Sequence, residues 1–480
     1  MENNPFKRPS PWLSVTPVLV LVCLLFLAVR LFGSDTLNGA SQIVLIIATA
    51  VCAVLATLFC GTSWKQIEDA IVSNITKVSV ALLILLLIGA LSGTWMVSGV
   101  IPTLIYYGMM IINPDFYLAT TCIICAAVSL MTGSSWTTVA TIGIALLGVG
   151  MAQGFSAGWI GGAIISGAYF GDKISPLSDT TVLASAVTET PLFVHIRYMM
   201  ITTVPSITIA LIIFTIAGFS HHSAPVLEVT SFTSSLRSTF NISPWLLIVP
   251  VFMAFMIARR APSLVTLFCS ALIAAVFGLI FQPHILQQIA GEDVSGLMAQ
   301  GKGFLTSIFG STHIQTGLDE LDELVATRGM AGMMNTVWLI ICAMCFGGAM
   351  TASGMLASII SVFTRFMKKT AGMVASTVVS GLCFNILTSD QYLSIILTGN
   401  MYKDIFREKG YESRLLSRSA EDSATVTSPL IPWNTCGMTQ ATVLGIPTLT
   451  YLPYAFFNLV SPLMSILVAA TGYKIFRVKR

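Results

Sequence analysis

The sequence predicts an all-α polytopic membrane protein with two inverted structural repeats, each holding a re-entrant hairpin and a discontinuous transmembrane helix. Three observations lead there. The 480-residue chain is 55% hydrophobic and only 9% charged, whereas soluble domains are about a quarter charged. Apolar runs of about 20 residues, enough to cross a bilayer, recur along its length. Polar, glycine- or proline-bearing stretches interrupt some of these runs, and unwound backbone at membrane depth is tolerated only where it lines a protein cavity. A net charge of +3 gives no reason to expect nucleic acid as a partner. The expected partner is the lipid bilayer.

The elements follow in order. A tail with Lys7 and Arg8 precedes an apolar run from Trp12 to Phe32. The run is too long for a signal h-region and lacks a small-residue cleavage site. It is therefore expected to be the first crossing, with the basic tail inside and no cleavable signal peptide. A second helix covers 40–60. Residues 61–77, with Lys65, Glu68, Asp69 and Lys77, are expected to form an amphipathic cytoplasmic link before an outward helix over 78–97. Runs 116–131 and 137–150 each fall short of a crossing. Between them lies Thr132-Gly133-Ser134-Ser135-Trp136-Thr137-Thr138. A hairpin is expected, with a single kinked crossing as the rival. The glycine-rich run 157–171 ends in Gly171-Asp172-Lys173-Ile174-Ser175-Pro176-Leu177-Ser178-Asp179-Thr180-Thr181. Pro176 removes a backbone donor and disfavours helix at Ser175. Next come His195 and Arg197 at the cytoplasmic face, helix 201–218, loop 219–243 and helix 244–258. Arg259-Arg260 marks a cytoplasmic turn, helix 262–282 returns outward, and 283–333 is expected to be a long external loop. Segments 98–113 and 353–370 either span or lie along the interface. With the second choice there are about ten crossings plus two hairpins.

The second half repeats the first. Gly93–Gly99 matches Gly348–Gly354, Thr132–Ser135 matches Thr388–Gln391, and Ser175-Pro176-Leu177 recurs as Ser428-Pro429-Leu430. Three matches in one order at a nearly constant shift indicate a duplication. With 283–333 outside, helix 334–352 runs inward while its counterpart 78–97 runs outward, so the repeats are inverted. Arg365, Lys368, Lys369, Lys403, Arg407 and Lys409 then fall inside, as do Lys474, Arg477, Lys479 and Arg480 at the end. Both termini are expected to be cytoplasmic. The division is 1–77 as N-terminal scaffold, 78–218 as repeat 1, 219–333 as scaffold and external loop, and 334–480 as repeat 2.

A broken helix bares carbonyls at one cut end and amides at the other. The first suit a hard cation, the second an anionic group. Candidate ion- or substrate-binding residues are Thr132, Ser134, Ser135, Asp172, Ser175, Ser178, Asp179, Thr180 and Thr181 in the first half. In the second they are Thr388, Ser389, Asp390, Asp422, Ser428, Asn434 and Thr435. Asp179 leads, with N-capping as its plainer role. For Asp172 the plainer role is an ion pair with Lys173. Glu421 or Asp422 could carry a proton, or could pair with Arg418. Trp136 and Trp433 more simply pack than stack on a ligand. His195 could sense pH or sit at the interface. The CxxC spacings Cys122/Cys125 and Cys342/Cys345 lie in apolar runs and suit packing better than metal or redox chemistry. The His221-His222 pair has no companion ligands. No P-loop, HExxH or GxSxG is present, so neither ATP-driven transport nor an enzyme is expected.

The string Gly171–Thr181, the segments Leu192–Arg197, Thr202–Pro205 and Thr132–Trp136, and Ser428-Pro-Leu-Ile-Pro-Trp-Asn434 resemble the NhaC family of Na⁺/H⁺ antiporters over nearly the whole chain. The resemblance implies an ion-transporter-like fold, Na⁺ extrusion across the bacterial inner membrane driven by inward H⁺, and no cofactor beyond these ions. By their place at the tips and breaks, Ser134, Ser178, Asp179, Asp390 and Asn434 are the Na⁺ candidates. The family includes an exchanger of malate and protons for lactate and Na⁺, so a small anionic metabolite or an amino acid is an alternative cargo. Val182 stands where the family often has Asn. Fold-level analogy suggests that the hairpin-bearing bundle moves, elevator-like, against scaffold helices that could also form a homodimer surface. A channel or receptor would need a continuous polar pore helix or a folded soluble domain, and neither is evident.

Overall fold

The computed structural model describes residues 9–32, 39–220, 226–291, 294–362, 367 and 369–478. Lys7, Arg8, His221, His222, Arg365, Lys368, Lys479 and Arg480 lie outside the described residues. Among the described residues regular structure is helical, with two isolated β-bridges. Nine helices there are long and apolar enough to cross a membrane, or up to eleven if two bent pairs are each one span. The protein is a multi-pass membrane protein.

Three of the nine are legs of hairpins. Tyr117–Thr132 and Ser135–Ala152 fold back on each other, and the Tyr117 hydroxyl donates to the Leu146 carbonyl. Thr370–Thr388 and Gln391–Glu408 do the same, joined by Ser380 and Tyr402 at 2.5 Å. Each half then has a broken helix. In the first, Ala157–Ile174 stops, four residues unwind, and Asp179–Val187 resumes. In the second, Ser413–Ala420 widens into a π-type turn at Glu421–Thr425, breaks around Ser428–Leu430, and resumes as Thr435–Leu444.

Contacts between the halves establish the inversion. The second segment of broken helix 1 runs alongside the returning leg of hairpin 2, with Gly399 against Val187 and Lys403 paired with Glu189. It therefore ends where hairpin 2 enters the bundle. The second segment of broken helix 2 runs antiparallel to Ala157–Ile174, with Gln440 bonded to Tyr169 and Ile446 against Gly161. It ends on the opposite face, where hairpin 1 enters. The tips come in from opposite faces and overlap in the middle. The first face also carries both described chain ends: Ser358 Oγ bonds the Pro9 carbonyl at 2.6 Å, and Tyr198 bonds that of Lys474 at 2.9 Å.

Three expectations are corrected. Residues 61–77 are not a separate link but the start of one helix, Trp64–Val97, opened by a reciprocal cap between Ser63 and Gln66. Its 34 residues exceed the roughly 20 that a bilayer needs, so its first turns project beyond the membrane. The helix expected over 201–218 likewise starts earlier, at Leu192, so that His195 and Arg197 lie in its first two turns. Segment 283–333 is not an open loop. It holds the helices Pro283–Ala290, Gly296–Phe309, Asp319–Val325 and Gly329–Gly332. These pack so closely that a Cβ on Gly93 would lie 2.1 Å from the Ser307 carbonyl, and one on Gly89 2.4 Å from that of Gly329. Val100–Ile111 and Met355–Ser361, at 12 and 7 residues, are too short to span.

Candidate functional site

The two hairpin tips share one backbone design. In tip 1 the first leg ends at Thr132, Gly133 turns left-handed at φ 67°, and Ser134 caps the next leg by accepting from the Thr137 amide at 3.2 Å. In tip 2 the leg ends at Thr388, Ser389 takes φ 59°, and Asp390 accepts from the Leu393 amide at 2.9 Å. Ser389 holds a conformation costly for a residue with a Cβ, so surrounding contacts must impose it. One is the Thr435 amide, which donates to its carbonyl at 2.8 Å.

Each tip lies on the break of its own half. In the first half Asp172, in the last turn before the break, is buried. Its Oδ2 accepts from the Ser135 amide at 3.1 Å and the Ser135 hydroxyl at 2.7 Å, and its Oδ1 accepts from the Ser178 hydroxyl at 2.6 Å. Ser178 also lies 3.0 Å from the Thr180 hydroxyl. Thr181 donates to the Lys173 carbonyl at 2.9 Å, and Ser175 to that of Leu130 at 2.8 Å. Ser135, Asp172, Ser175, Ser178, Thr180 and Thr181 thus form one cluster, with Thr132 and Ser134 shaping its tip. Asp179 stands apart. Ser178, not Asp179, is the N-cap of the resumed helix, and the Asp179 side chain is exposed at the rim. Val182 is exposed too.

In the second half the carboxylate sits on the tip instead. Asp390 accepts from the Thr435 hydroxyl at 3.2 Å. Asn434 caps the resumed helix through the Cys436 amide at 3.0 Å and donates to the Asn385 carbonyl at 3.1 Å. Ser428 donates to Gln391 at 3.3 Å, and Thr388 donates within its own leg to the Phe384 carbonyl at 2.9 Å. Asn385 was missed in the sequence. It donates to the Ala424 carbonyl at 2.6 Å and to Thr427 at 2.9 Å, tying hairpin 2 to broken helix 2. Its signal was an isolated amide in the apolar run before the tip.

Asp422 belongs to neither cluster. It pairs with Lys173 of the other half, and both are fully buried. Its Oδ1 also accepts from Thr202 at 3.1 Å and Ser461 at 3.3 Å. The pairing of Asp172 with Lys173 considered from sequence is therefore replaced by Asp172 with the tip and Lys173 with Asp422. Arg418 is also fully buried. Its Nε lies 3.8 Å from Asp422 Oδ2, its guanidinium rests 4.8 Å from the Tyr198 ring centroid, and its nitrogens have no hydrogen-bond acceptor. Glu421, fully buried on the π-type turn, makes no hydrogen bond through either oxygen, with Thr180, Thr425 and Lys173 close by. His195 is buried against Ser417. The Trp433 indole donates to the Ile386 carbonyl at 2.9 Å, a packing role. The cysteines of both CxxC pairs are free thiols, and among the described residues no group of three His, Cys, Asp or Glu could hold a metal.

Two carboxylates ringed by hydroxyls, one in each half, gather oxygen donors of the kind that hard cations bind. A malate-2H⁺/Na⁺-lactate antiporter of Bacillus subtilis is 35% identical over 463 residues, covering 96% of each chain. The Na⁺/H⁺ antiporter NhaC of the same organism is 35% identical over 86% of this chain and 88% of its own. An arginine/ornithine antiporter of Halobacterium salinarum is 32% identical over 99% of this chain and 95% of its own. The model of the Na⁺/H⁺ antiporter family matches residues 167–473, a span that holds both breaks, and the chain belongs to that family.

Proposed function

We propose that the chain is a secondary active transporter of the bacterial inner membrane that exchanges Na⁺ for H⁺ by alternating access, with both termini cytoplasmic. The observation that carries this is the Asp172 cluster, where a buried carboxylate meets the Ser135 and Ser178 hydroxyls at the crossing of tip and break. Carboxylates and other oxygen donors suit hard cations. Rotating the two hydroxyls would turn their lone pairs toward an ion beside the carboxylate, and unwound carbonyls would complete its shell. Asp390 with Thr435 offers the mirror position in the second half. Glu421 carries the proton, because a buried carboxylate whose oxygens accept no hydrogen bond is costly when charged. Repeats 78–218 and 334–480 move against 1–77 and 219–333. Cross-links between a hairpin and the scaffold that left transport intact would refute this motion.

The basic residues Lys403, Arg407 and Lys474, on the face that carries both described ends, support the cytoplasmic orientation by the positive-inside rule. Everted vesicles containing the protein should dissipate a pH gradient when Na⁺ is added, and Asp172→Asn should abolish the response. Wild-type vesicles that ignore Na⁺ would sink the exchange.

A second cargo is supported by two relatives named for malate/lactate and arginine/ornithine exchange, which match 96% and 99% of this chain. Thermal stabilisation across a panel of organic acids and amino acids checks it, and a panel with no hit would count against it.

A further inference from the structure

The helix that resumes after break 1, Asp179–Val187, runs parallel to the returning leg of hairpin 2, Gln391–Glu408. Their contacts climb in register from the face that carries both described chain ends toward the middle of the bundle. Glu189, just past the first helix, pairs with Lys403, Val187 lies against Gly399, and Ala184 packs with Ile395. Steps of three and four residues keep to one helix face, so the next rung sets Tyr392 against the first turn, at Asp179 and Thr180. A helical side chain leans toward its own N-terminus, here toward the crossing of tip and break. The Tyr392 side chain accordingly lies among the carboxylates of Asp179, Asp172 and Asp390, of which Asp179 acts on it most strongly. It is partly exposed, and among the described residues its hydroxyl has no hydrogen-bond partner. The Asp179 carboxylate has none there either. With Val182 and Ala186, Asp179 forms an exposed stripe along its helix. A carboxylate at membrane depth faces water rather than lipid, so the stripe lines a wet path to the rim of the Asp172 cluster.

We propose that Tyr392 gates the entry of the cation into the Asp172 cluster. The inference rests on the exchange reading above and names a residue of the second half that controls the site of the first. Asp179 at the rim draws the hydrated cation in by its charge. The Tyr392 hydroxyl, a neutral oxygen of the kind hard cations bind, takes the place of one water as the ion passes from Asp179 to Asp172. The Ser135 and Ser178 hydroxyls on Asp172 receive it next. Tyr392 directly follows Asp390 and Gln391, which bond Thr435 and Ser428 of broken helix 2. The gate therefore moves with tip 2, and a shift of that tip opens or closes the first-half site.

The test is the Na⁺ dependence of pH-gradient dissipation in everted vesicles, which present the cytoplasmic face to added Na⁺, for wild type, Tyr392→Phe, Asp179→Asn and the double variant. Tyr392→Phe keeps the ring and removes only the hydroxyl, so its Tm should equal that of wild type. Its KM for Na⁺ should rise about two- to tenfold, the scale of one lost polar contact, while its maximal rate falls by less than that factor. The double variant should raise KM by less than the product of the two single effects, because both residues act on one step. An unchanged KM in Tyr392→Phe, a loss confined to the maximal rate, or full multiplication of the two effects would overturn the gate and leave the exchange standing. A wild type that ignores Na⁺ would remove the exchange and the gate with it.

Discussion

The two broken helices occupy equivalent places in the two halves and are built from different materials. Ala157–Ile174 is a packing element. A Cβ on Gly167 would lie 2.1 Å from the Cys122 carbonyl, and one on Gly171 2.3 Å from that of Ala126, so the helix lies directly on the backbone of hairpin 1. Ser413–Ala420 and its π-type turn carry Arg418, Glu421 and Asp422, all fully buried. There the close approach is made by the hairpin, whose Gly381 faces Ser423. The duplication thus kept the geometry of tip and break while the halves diverged into a tightly packed member and a charged one. Lys173 is where they meet, a cation on the packed helix that neutralises the charged one.

The sharpest way to break this comparison is to remove Lys173. Lys173→Met should destabilise the purified protein by roughly 3–5 kcal/mol, since it strands a buried carboxylate, and a Lys173→Met/Asp422→Leu double variant should recover most of the loss. Equal thermal stability of the single variant and wild type would deny that the pair holds the halves together. Next in size, Gly167→Ala should cost about 1–3 kcal/mol by overpacking. Gly381→Ala should cost less, because it meets chiefly the Ser423 side chain instead of a carbonyl. The reverse order would mean that hairpin 1 can yield. Removing the matching caps, Ser178→Ala and Asn434→Ala, should cost about 1 kcal/mol each, similar in both halves, and unequal losses in thermal unfolding would show that the breaks are not equivalent.

The smallest effect belongs to the surface contact between the halves. The hydrogen bond and charge of Lys403 hold the exposed Glu189 carboxyl below its ordinary 4.5. A lowered value means that this contact adds stability above pH 4.5 and loses it as pH falls through the depressed folded value. The difference in Tm between wild type and Glu189→Gln should therefore be small near neutrality and vanish in acid. A difference that grew in acid would reverse the sign.

Much of this was legible in the sequence because local chemistry specifies it. Thr132-Gly133-Ser134 and Thr388-Ser389-Asp390 stop a leg and cap the next, and Pro176 and Pro429 enforce the breaks. The inversion was legible from charge placement. The partners of individual side chains were not. Asp172 and Lys173 are neighbours in sequence, and only the packing of the halves directs one to the tip and the other to Asp422, 249 residues away. The exposure of Asp179 was equally hidden, since a one-residue shift of the cap to Ser178 decides it. By contrast, the Ser63-x-x-Gln66 cap was in plain view. It places a helix start at Trp64, and an amphipathic helix accommodates the charges of 61–77 as well.

The central claim is that the Asp172 cluster is where Na⁺ is held. Na⁺-induced dissipation of a pH gradient in everted vesicles tests it directly, comparing wild type, Asp172→Asn and Asp179→Asn at equal expression. The expected result is loss of the response in Asp172→Asn and its retention, weakened, in Asp179→Asn, whose carboxylate lies at the exposed rim. A wild-type response in Asp172→Asn would contradict the account.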